Sequence, residues 1–315
     1  MDYPSNRFRP SSSRGAAHPH RWLAPLITIA TLAALVSVVY FTTDGFGLLS
    51  HVNTQRELSE LWRSGDYQQV VVRANQLLEQ TPMQATPLAF AGFSHFYRGM
   101  QQIDEDQRQQ DLDASIRMLR KALLIPQPPL EAEVHYVLAK AYFHLGEFYY
   151  DATVYHMNRA IELGFEGQDH YEYLALAYDG LNMQAESVES YQKAIAIEPS
   201  DLLYAGLADT YMRHERFAEA SRYFQKAIEV SDDSHLVQRA RYNLGRAYVE
   251  TGQYEAAADQ LRAVLENDPR SADAHYYLGR AHLLSGDAER ARFQWREAVR
   301  IDPRHEQALG SLRSN

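Results

Sequence analysis

The residue types that carry out catalysis are plentiful in this sequence, but their spacing forms no recognised catalytic or metal-binding motif. The chain contains 13 His, 41 Asp and Glu, and no Cys. Without Cys, thiolate zinc sites, iron–sulfur clusters and a Cys nucleophile are excluded. His214-Glu215 and His305-Glu306 each lack the second His of the zinc motif His-Glu-x-x-His. Phosphate-binding glycine loops and Gly-x-Ser-x-Gly elbows are also absent from the sequence. We therefore expect no catalytic residues, no cofactor and no metal site, and we expect that the protein is not an enzyme.

Charge is distributed unevenly along the 315 residues. The whole chain has 31 Lys and Arg and a net charge of −10. This acidic balance argues against a nucleic-acid partner, which normally requires a basic surface. Residues 1–21 are basic instead and have almost no aliphatic residues, so we expect a disordered tail there. The charged residues of this tail are Asp2, Arg7, Arg9, Arg14 and Arg21.

An uncharged segment follows the tail and predicts a transmembrane signal-anchor helix over residues 22–42. As a helix, the 20 residues from Trp22 to Phe41 span roughly 30 Å, the thickness of the hydrocarbon core of a bilayer. A cleaved signal peptide is one alternative, but no Ala-x-Ala cleavage site follows the apolar run. A buried helix of a soluble domain is the other alternative, and such helices rarely run this far without a charge.

The arginines of the tail also predict the orientation of this helix. Basic residues precede it and none follows soon after, which predicts a cytoplasmic N-terminus. In a bacterium, the protein is then a single-pass protein of the inner membrane with its larger part in the periplasm. A short linker, residues 43–50, would keep the folded part close to the membrane surface.

A repeat of 34 residues is the strongest pattern in the rest of the chain. The sequence Leu-Gly-Arg-Ala occurs at 244–247 and again at 278–281. Three further pairs of residues have the same separation: Gly245 and Gly279, Gly252 and Gly286, and Pro269 and Pro303. This pattern resembles the tetratricopeptide repeat (TPR), in which each unit is a pair of helices. The resemblance implies an all-α superhelical solenoid of about seven helix–turn–helix units over residues 51–305. Residues 306–315 are then a C-terminal capping helix and tail.

The resemblance assigns a role to each position of the repeat. Small residues allow the two helices of a unit to approach closely, aromatic residues fill the gaps around them, and Gly ends the first helix. The seven units begin near His51, Ala85, Ala132, Gln168, Asp201, Gln238 and Ala272.

Two units depart from the pattern. Unit two has about ten extra residues, Gln101 to Gln110, which we interpret either as a solvated acidic loop or as a contact point for a basic partner. Unit three has an extra pair of residues near Tyr149 and Tyr150, with Phe148 at the expected aromatic position.

The resemblance also implies where a partner would bind. In TPR proteins the first helix of each unit lines a concave groove, and Tyr and Arg are residue types that dominate binding energy at interfaces. We expect the groove to bind a peptide or helix that carries carboxylates, and the alternative is a solvated groove without a ligand. The candidate residues are Tyr136, Lys140 and Phe143 of unit three, Arg239, Tyr242, Asn243 and Arg246 of unit six, and Tyr276, Tyr277 and Arg280 of unit seven.

A membrane-anchored TPR solenoid resembles bacterial periplasmic scaffolds that assemble envelope complexes. The partners implied are other proteins and the membrane, and homo-oligomers are compatible with such an assembly. One group of these scaffolds forms the periplasmic collar of flagellar motors, and we keep that role as an expectation. The alternatives are a quality-control factor that docks a chaperone or translocon, and an accessory subunit of an envelope maturation enzyme. The carboxylate clamp of TPR chaperone adaptors is not reproduced, because Ala205 and Asp209 occupy positions that require Lys and Asn.

Overall fold

The computed structural model describes the backbone of residues 48–314 and the side chains of residues 54–314. The expected tail (1–21), the transmembrane helix (22–42) and most of the linker (43–50) lie outside the described residues. Within residues 48–314, no helix combines the length and the apolar composition that crossing a membrane requires.

The regular structure of residues 48–314 consists of fifteen α-helices and one short 3-10 helix, with no strand. The α-helices are α1 (Leu48–Arg63), α2 (Tyr67–Gln80), α3 (Ala85–Gln101), α4 (Glu105–Leu123), α5 (Glu131–Leu145), α6 (Tyr150–Glu162), α7 (His170–Gly180), α8 (Gln184–Ile197), α9 (Asp201–Arg213), α10 (Phe217–Val230), α11 (Ser234–Glu250), α12 (Tyr254–Asn267), α13 (Ala272–Leu284), α14 (Ala288–Ile301) and α15 (Glu306–Ser314). The first fourteen form seven consecutive pairs, so the prediction of an all-α solenoid is confirmed.

Small residues on the first helix of a unit set the spacing of each helix pair. Gly279 of α13 lies against the indole of Trp295 on α14, and a Cβ atom placed on Gly279 would be 2.4 Å from Trp295 Nε1. Gly245 approaches Leu261 in the same way, and a Cβ atom placed on Gly245 would be 2.7 Å from Leu261 Cγ. A side chain at either position would push the two helices apart, since protein interiors leave no space for one more carbon.

Tyrosines join units four and six to the unit before each of them. Tyr178 of α7 accepts a hydrogen bond from the Asn158 amide on α6, with 3.2 Å between the two atoms. Tyr248 of α11 accepts one from the Gln225 amide on α10 at 2.5 Å. These phenols are largely removed from water, and their hydroxyl groups find partners on the second helix of the preceding unit.

Most of the extra residues of unit two are helical, so the expectation of a loop over the whole of Gln101 to Gln110 is wrong, and only residues 102–104 connect the two helices. Helix α3 continues to Gln101, and α4 begins at Glu105. Asp104 caps α4, and its Oδ1 accepts a hydrogen bond from the Gln107 backbone N–H at 2.9 Å. Acidic residues in a first helical turn are stabilised by the helix dipole, which explains why the acidic run starts a helix.

The extra residues of unit three form the 3-10 helix Glu147–Tyr149. Because of this insertion, Tyr150 becomes the first residue of α6, and its ring stacks on Phe143 with the ring centres 5.3 Å apart. Phe148 does not take the packing position that the repeat pattern assigns to it, and 89% of its surface is exposed.

Helix α15 covers the apolar end of the last unit. Ala308 is fully buried in one cluster with Trp295 and Ala298. The helix start is capped by His305, whose Nδ1 accepts a hydrogen bond from the Ala308 backbone N–H at 3.2 Å. A solenoid needs such a cover because its last unit has no successor to pack against.

The close approach at Gly279 predicts opposite effects of the same substitution at two helical glycines. Gly279→Ala should lower the free energy of unfolding by about 1–3 kcal/mol, because the new methyl group displaces Trp295. Gly310→Ala on α15 meets nothing within 4 Å and should raise it by roughly 0.5–1 kcal/mol, the cost of a helical glycine. Urea unfolding followed by circular dichroism checks both. Equal effects at the two positions would contradict the packing described here.

Candidate functional site

The first helices of consecutive units are linked by polar side chains along one face of the solenoid, which we name the first-helix face (α7, α9, α11 and α13). Each contact joins a carboxylate of one unit to a donor of the next. These contacts connect Asp179 with Thr210 (2.9 Å) and with Arg213, Asp209 with Asn243 (3.2 Å), and Glu250 with Arg280 (2.7 Å). The TPR resemblance places the partner-binding groove on this face.

Four of the expected groove residues form one cluster on α11 and α13. The rings of Tyr242 and Tyr277 meet edge to face with their centres 5.9 Å apart. The guanidinium carbon of Arg246 lies 5.7 Å from the Tyr242 ring and 5.1 Å from the Tyr277 ring. The guanidinium carbon of Arg280 lies 5.6 Å from the Tyr277 ring. The structure therefore brings two cations and two aromatic rings together, each cation at cation–π distance from a ring.

Arg246 differs from Arg213 and Arg280 in its partners. Arg280 pairs with Glu250, and Arg213 pairs with Asp179. Among the described residues, Arg246 has no carboxylate within 4.0 Å, and its one hydrogen bond runs from Nη1 to Asn243 Oδ1 at 3.3 Å. Its Nε is buried without a hydrogen-bond partner. A guanidinium has five N–H donors, so most of the donor capacity of Arg246 is unused.

The three remaining candidates of units six and seven surround this cluster. Asn243 connects Arg246 to Asp209 of the preceding unit. Tyr276 is half-buried against the C-terminal end, with its ring 5.2 Å from that of His305. Arg239 lies exposed near the start of α11.

Burial controls the ionisation of two groups on the first-helix face. Burial raises the pKa of Tyr242, and the charge of Asp273 adds to the shift, so this phenol stays neutral. Burial also raises the pKa of Asp209, although Arg239 and Arg213 oppose the shift.

Tyr136 and Lys140, expected on the open groove, are buried instead. Only 4% of Tyr136 and 8% of Lys140 is exposed. Lys140 Nζ binds Asp169 Oδ2 at 2.6 Å, and the Tyr136 hydroxyl donates a hydrogen bond to the same carboxylate. Phe143 is half-buried between the rings of Tyr150 and Tyr173. These three residues hold units three and four together, and the expectation that Tyr136 and Lys140 meet a partner is corrected.

The environment of Lys140 explains how a buried ammonium group is tolerated. Nζ lies 5.0 Å from the ring centres of both Tyr136 and Tyr173, so aromatic faces surround the charge that Asp169 neutralises. Burial by itself raises the pKa of Asp169, but Lys140 and Tyr136 outweigh it, and the net pKa is lowered. A buried pair of this kind is costly to break, because either partner alone would be an uncompensated charge.

A polar cavity between α2, α3 and α4 was not evident from the sequence. Its volume is about 600 Å³. On its wall, His95 Nδ1 binds Asp111 Oδ1 at 2.9 Å, and Arg98 Nε binds Asp111 Oδ2 at 2.9 Å. Arg98 also donates to Gln68 of unit one. His95 and Asp111 are 16 positions apart on different helices, so no sequence spacing indicates their contact. In the described part of the chain, no group of three or more His, Asp and Glu residues is arranged to hold a metal ion.

Comparison with known protein families agrees with this architecture. Residues 171–201, 199–270 and 242–306 each match a model of the tetratricopeptide repeat. Residues 171–306 therefore consist of tetratricopeptide repeats. A search of curated proteins gave no match.

Several solved structures align with part of this chain. YrrB, a TPR protein described as having an unusual peptide-binding site, aligns with a TM-score of 0.54 and 23% identity over 62% of this chain and 97% of its own. MamA from Desulfovibrio magneticus RS-1 aligns with a TM-score of 0.48 and 13% identity over 56% of this chain and 97% of its own. PilW, a type IV pilus biogenesis factor, aligns with a TM-score of 0.45 and 20% identity over 58% and 88%. At these identities the alignment with YrrB shows the fold alone.

The junction of units three and four predicts a loss of stability in acid. His170 is fully buried and stacks on Tyr136 with the ring centres 4.8 Å apart. Its Nδ1 accepts a hydrogen bond from the Gly167 backbone N–H, and its Nε2 has no partner. Burial lowers the pKa of His170 to about 4 from its ordinary value of 6.5.

Because this pKa is lower in the folded than in the unfolded chain, the unfolded chain binds the proton more readily. The contribution of His170 is therefore complete above pH 6.5 and is lost as the pH falls towards 4, by about 1.4 kcal/mol per pH unit at most. His170→Asn retains an acceptor for Gly167 and does not titrate. We expect it to lose less free energy of unfolding between these pH values than the unchanged protein in urea titrations. Parallel pH profiles would contradict this assignment.

Proposed function

We propose that this protein is a membrane-anchored extracytoplasmic scaffold that binds acidic segments of partner proteins on its first-helix face. The observation that carries the proposal is the state of Arg246. This cation lies between two tyrosine rings, has no carboxylate partner among the described residues, and uses one of its donors within the chain.

An incoming carboxylate would satisfy donors that the folded chain leaves unused. Charge-assisted hydrogen bonds to a guanidinium are stronger than neutral ones, and Arg offers two parallel N–H groups to one carboxylate. The rings of Tyr242 and Tyr277 hold the guanidinium in place, which reduces the entropy lost on binding. The same rings offer apolar surface to the residues that flank the carboxylate.

Two neighbouring residues, Arg280 and Asn243, would orient a segment that binds at Arg246. Arg280, whose charge is shared with Glu250, lies on the other side of the Tyr277 ring. Asn243 presents an amide beside Arg246. An extended segment with spaced carboxylates would therefore contact Arg246 first and Arg280 one unit further along the solenoid.

The anchor and the location are part of the proposal. The apolar segment 22–42 and the arginines before it support a single-pass inner-membrane protein with the TPR solenoid in the periplasm. A reporter fused to the C-terminus that is active only outside the cytoplasm tests this orientation, and activity of a cytoplasmic reporter there would exclude it.

A scaffold in this location would organise an envelope complex, and the collar of the flagellar motor is the specific candidate. The competing roles are a factor that docks a chaperone or translocon and an accessory subunit of a maturation enzyme. These roles differ in the partner. Co-purification with motor proteins, with translocon subunits or with a maturation enzyme selects one of them.

The central test removes the charge of Arg246. Arg246→Gln should weaken binding of a short fluorescent peptide of alternating Glu and Ser by about 2 kcal/mol, roughly 30-fold, as expected for an arginine hot spot. The same peptide with Gln in place of Glu should bind the unchanged protein weakly. Fluorescence anisotropy with the full chain gives both affinities.

A matched control separates the site from the overall charge. Arg262→Gln removes the same charge from α12, where Arg262 pairs with Asp259 on the other face of the unit. It should leave peptide affinity unchanged. Equal affinities for Arg246→Gln and the unchanged protein, or an equal loss in both variants, would refute the groove as an anion-binding site. Proteins that the unchanged chain retains from envelope extracts and Arg246→Gln does not are then the physiological partners.

A further inference from the structure

Two exposed apolar side chains lie on one edge of the solenoid in consecutive units. Ile103, between α3 and α4, is 97% exposed, and Phe148, between α5 and α6, is 89% exposed. Both occupy the turn between the two helices of their unit, and such turns follow one another along a single edge of a TPR solenoid. We name this surface the turn edge and define it as Ile103 and Phe148 with the acidic residues Asp104, Asp106 and Glu147.

The exposure of Phe148 has no explanation in the packing of its own unit. Tyr150 occupies the aromatic position at the start of α6, so the inserted 3-10 turn leaves Phe148 with no interior to fill. Water contact with a whole phenylalanine side chain is unfavourable by roughly 1.5–3 kcal/mol relative to burial. Exposed apolar side chains gathered on one surface are typical of an interaction site, and the turn edge carries two of them in consecutive units.

The charged residues of the turn edge are acidic and exposed to solvent. Asp104, Asp106 and Glu147 are exposed, and none of them forms an ion pair with another described residue. Glu105 is the one acid of this run that has a basic partner, Arg108, at 3.4 Å. A surface that fits this edge is therefore basic and carries an exposed apolar side chain.

The outer face of α14 has both properties. Phe293 is 57% exposed on this helix, which contains four arginines and two glutamates. Arg292 and Arg296 flank Phe293 and form no ion pair with another described residue, whereas Arg300 pairs with Glu297. We name Arg292, Phe293 and Arg296 the α14 face.

Phe293 differs in residue type from the equivalent residues of the three preceding units. It lies two residues before the buried Trp295, and the same position precedes Tyr191, Phe224 and Leu261 in units four to six. The residues at that position in units four, five and six are Glu189, Arg222 and Asp259. Units four to six thus have a charged residue here, whereas unit seven has an exposed phenylalanine and unit three an exposed tyrosine, Tyr155.

We propose that the α14 face of one copy docks on the turn edge of a second copy of this chain. Units four to six separate the two surfaces within one chain, and units of a solenoid contact only their neighbours, so the contact must be intermolecular. The two surfaces are different, and the assembly is therefore head-to-tail rather than a symmetric dimer. This proposal goes beyond peptide binding on the first-helix face, and the residues of the two sites do not overlap.

The absence of Cys from the sequence makes a disulfide test specific. Two differently tagged populations of the full chain, one with Phe148→Cys and one with Phe293→Cys, are mixed and mildly oxidised. We expect a mixed disulfide that contains both tags. Asp259→Cys is the matched control for Phe293→Cys, because it places the thiol at the same position of the preceding unit. Its yield with Phe148→Cys should be lower on the order of tenfold, the effect of a preferred contact worth 1.4 kcal/mol.

Charge reversal tests the complementarity that underlies the proposal. Added to the Phe293→Cys chain, Arg292→Glu and Arg296→Glu should lower the yield of mixed disulfide, because acidic residues then face the acidic turn edge. Adding Asp106→Arg and Glu147→Arg to the Phe148→Cys chain should restore the yield with the reversed partner. This rescue is not expected if the reversal merely disturbs folding.

Three results would overturn the proposal. They are a yield no higher than that of the Asp259→Cys control, a predominant disulfide between two Phe148→Cys chains, and charge reversal without effect on the yield.

The Arg246→Gln variant separates this proposal from the proposed function. It should weaken peptide binding by roughly 30-fold and leave the mixed disulfide intact.

Discussion

Polar contacts between the first helices of neighbouring units determine which charges of the solenoid remain free. Asp179 neutralises Arg213, and Glu250 neutralises Arg280, each across a unit boundary. These contacts fix the relative position of the units and occupy the donors of their arginines. The equivalent connection between α9 and α11 is made by Asn243, an uncharged donor to Asp209, so Arg246 has no carboxylate to pair with. The anion-binding role that we propose for this face rests on this difference.

The sequence was sufficient to predict the solenoid and the cluster of units six and seven. The 34-residue period is uninterrupted there, so a residue's position in the repeat determines its position in space. Tyr242, Arg246, Tyr277 and Arg280 therefore meet as the TPR pattern implies. The period also predicted the small residues at helix contacts, such as Gly279 against Trp295.

Units two and three could not be predicted in the same way, because their partners lie outside the repeat positions. Asp169, which neutralises Lys140, is in the connection that precedes α7, and no position of the repeat reserves a carboxylate there. The repeat position of Lys140 therefore predicts a groove residue, whereas the structure shows that its side chain is buried. The inserted turn before α6 shifts the phase by a few residues, which exchanges the roles of Phe148 and Tyr150.

Arg280 has a carboxylate partner, whereas Arg246 has none among the described residues, and the free energies of unfolding of the two Arg→Met variants distinguish these two states. Arg280→Met leaves the carboxylate of Glu250 without its partner and should lower the free energy of unfolding by about 1 kcal/mol. Arg246→Met removes a partly desolvated cation with an unsatisfied donor, so stability should stay within about 0.5 kcal/mol or rise. A larger loss of stability in Arg246→Met than in Arg280→Met would contradict the account.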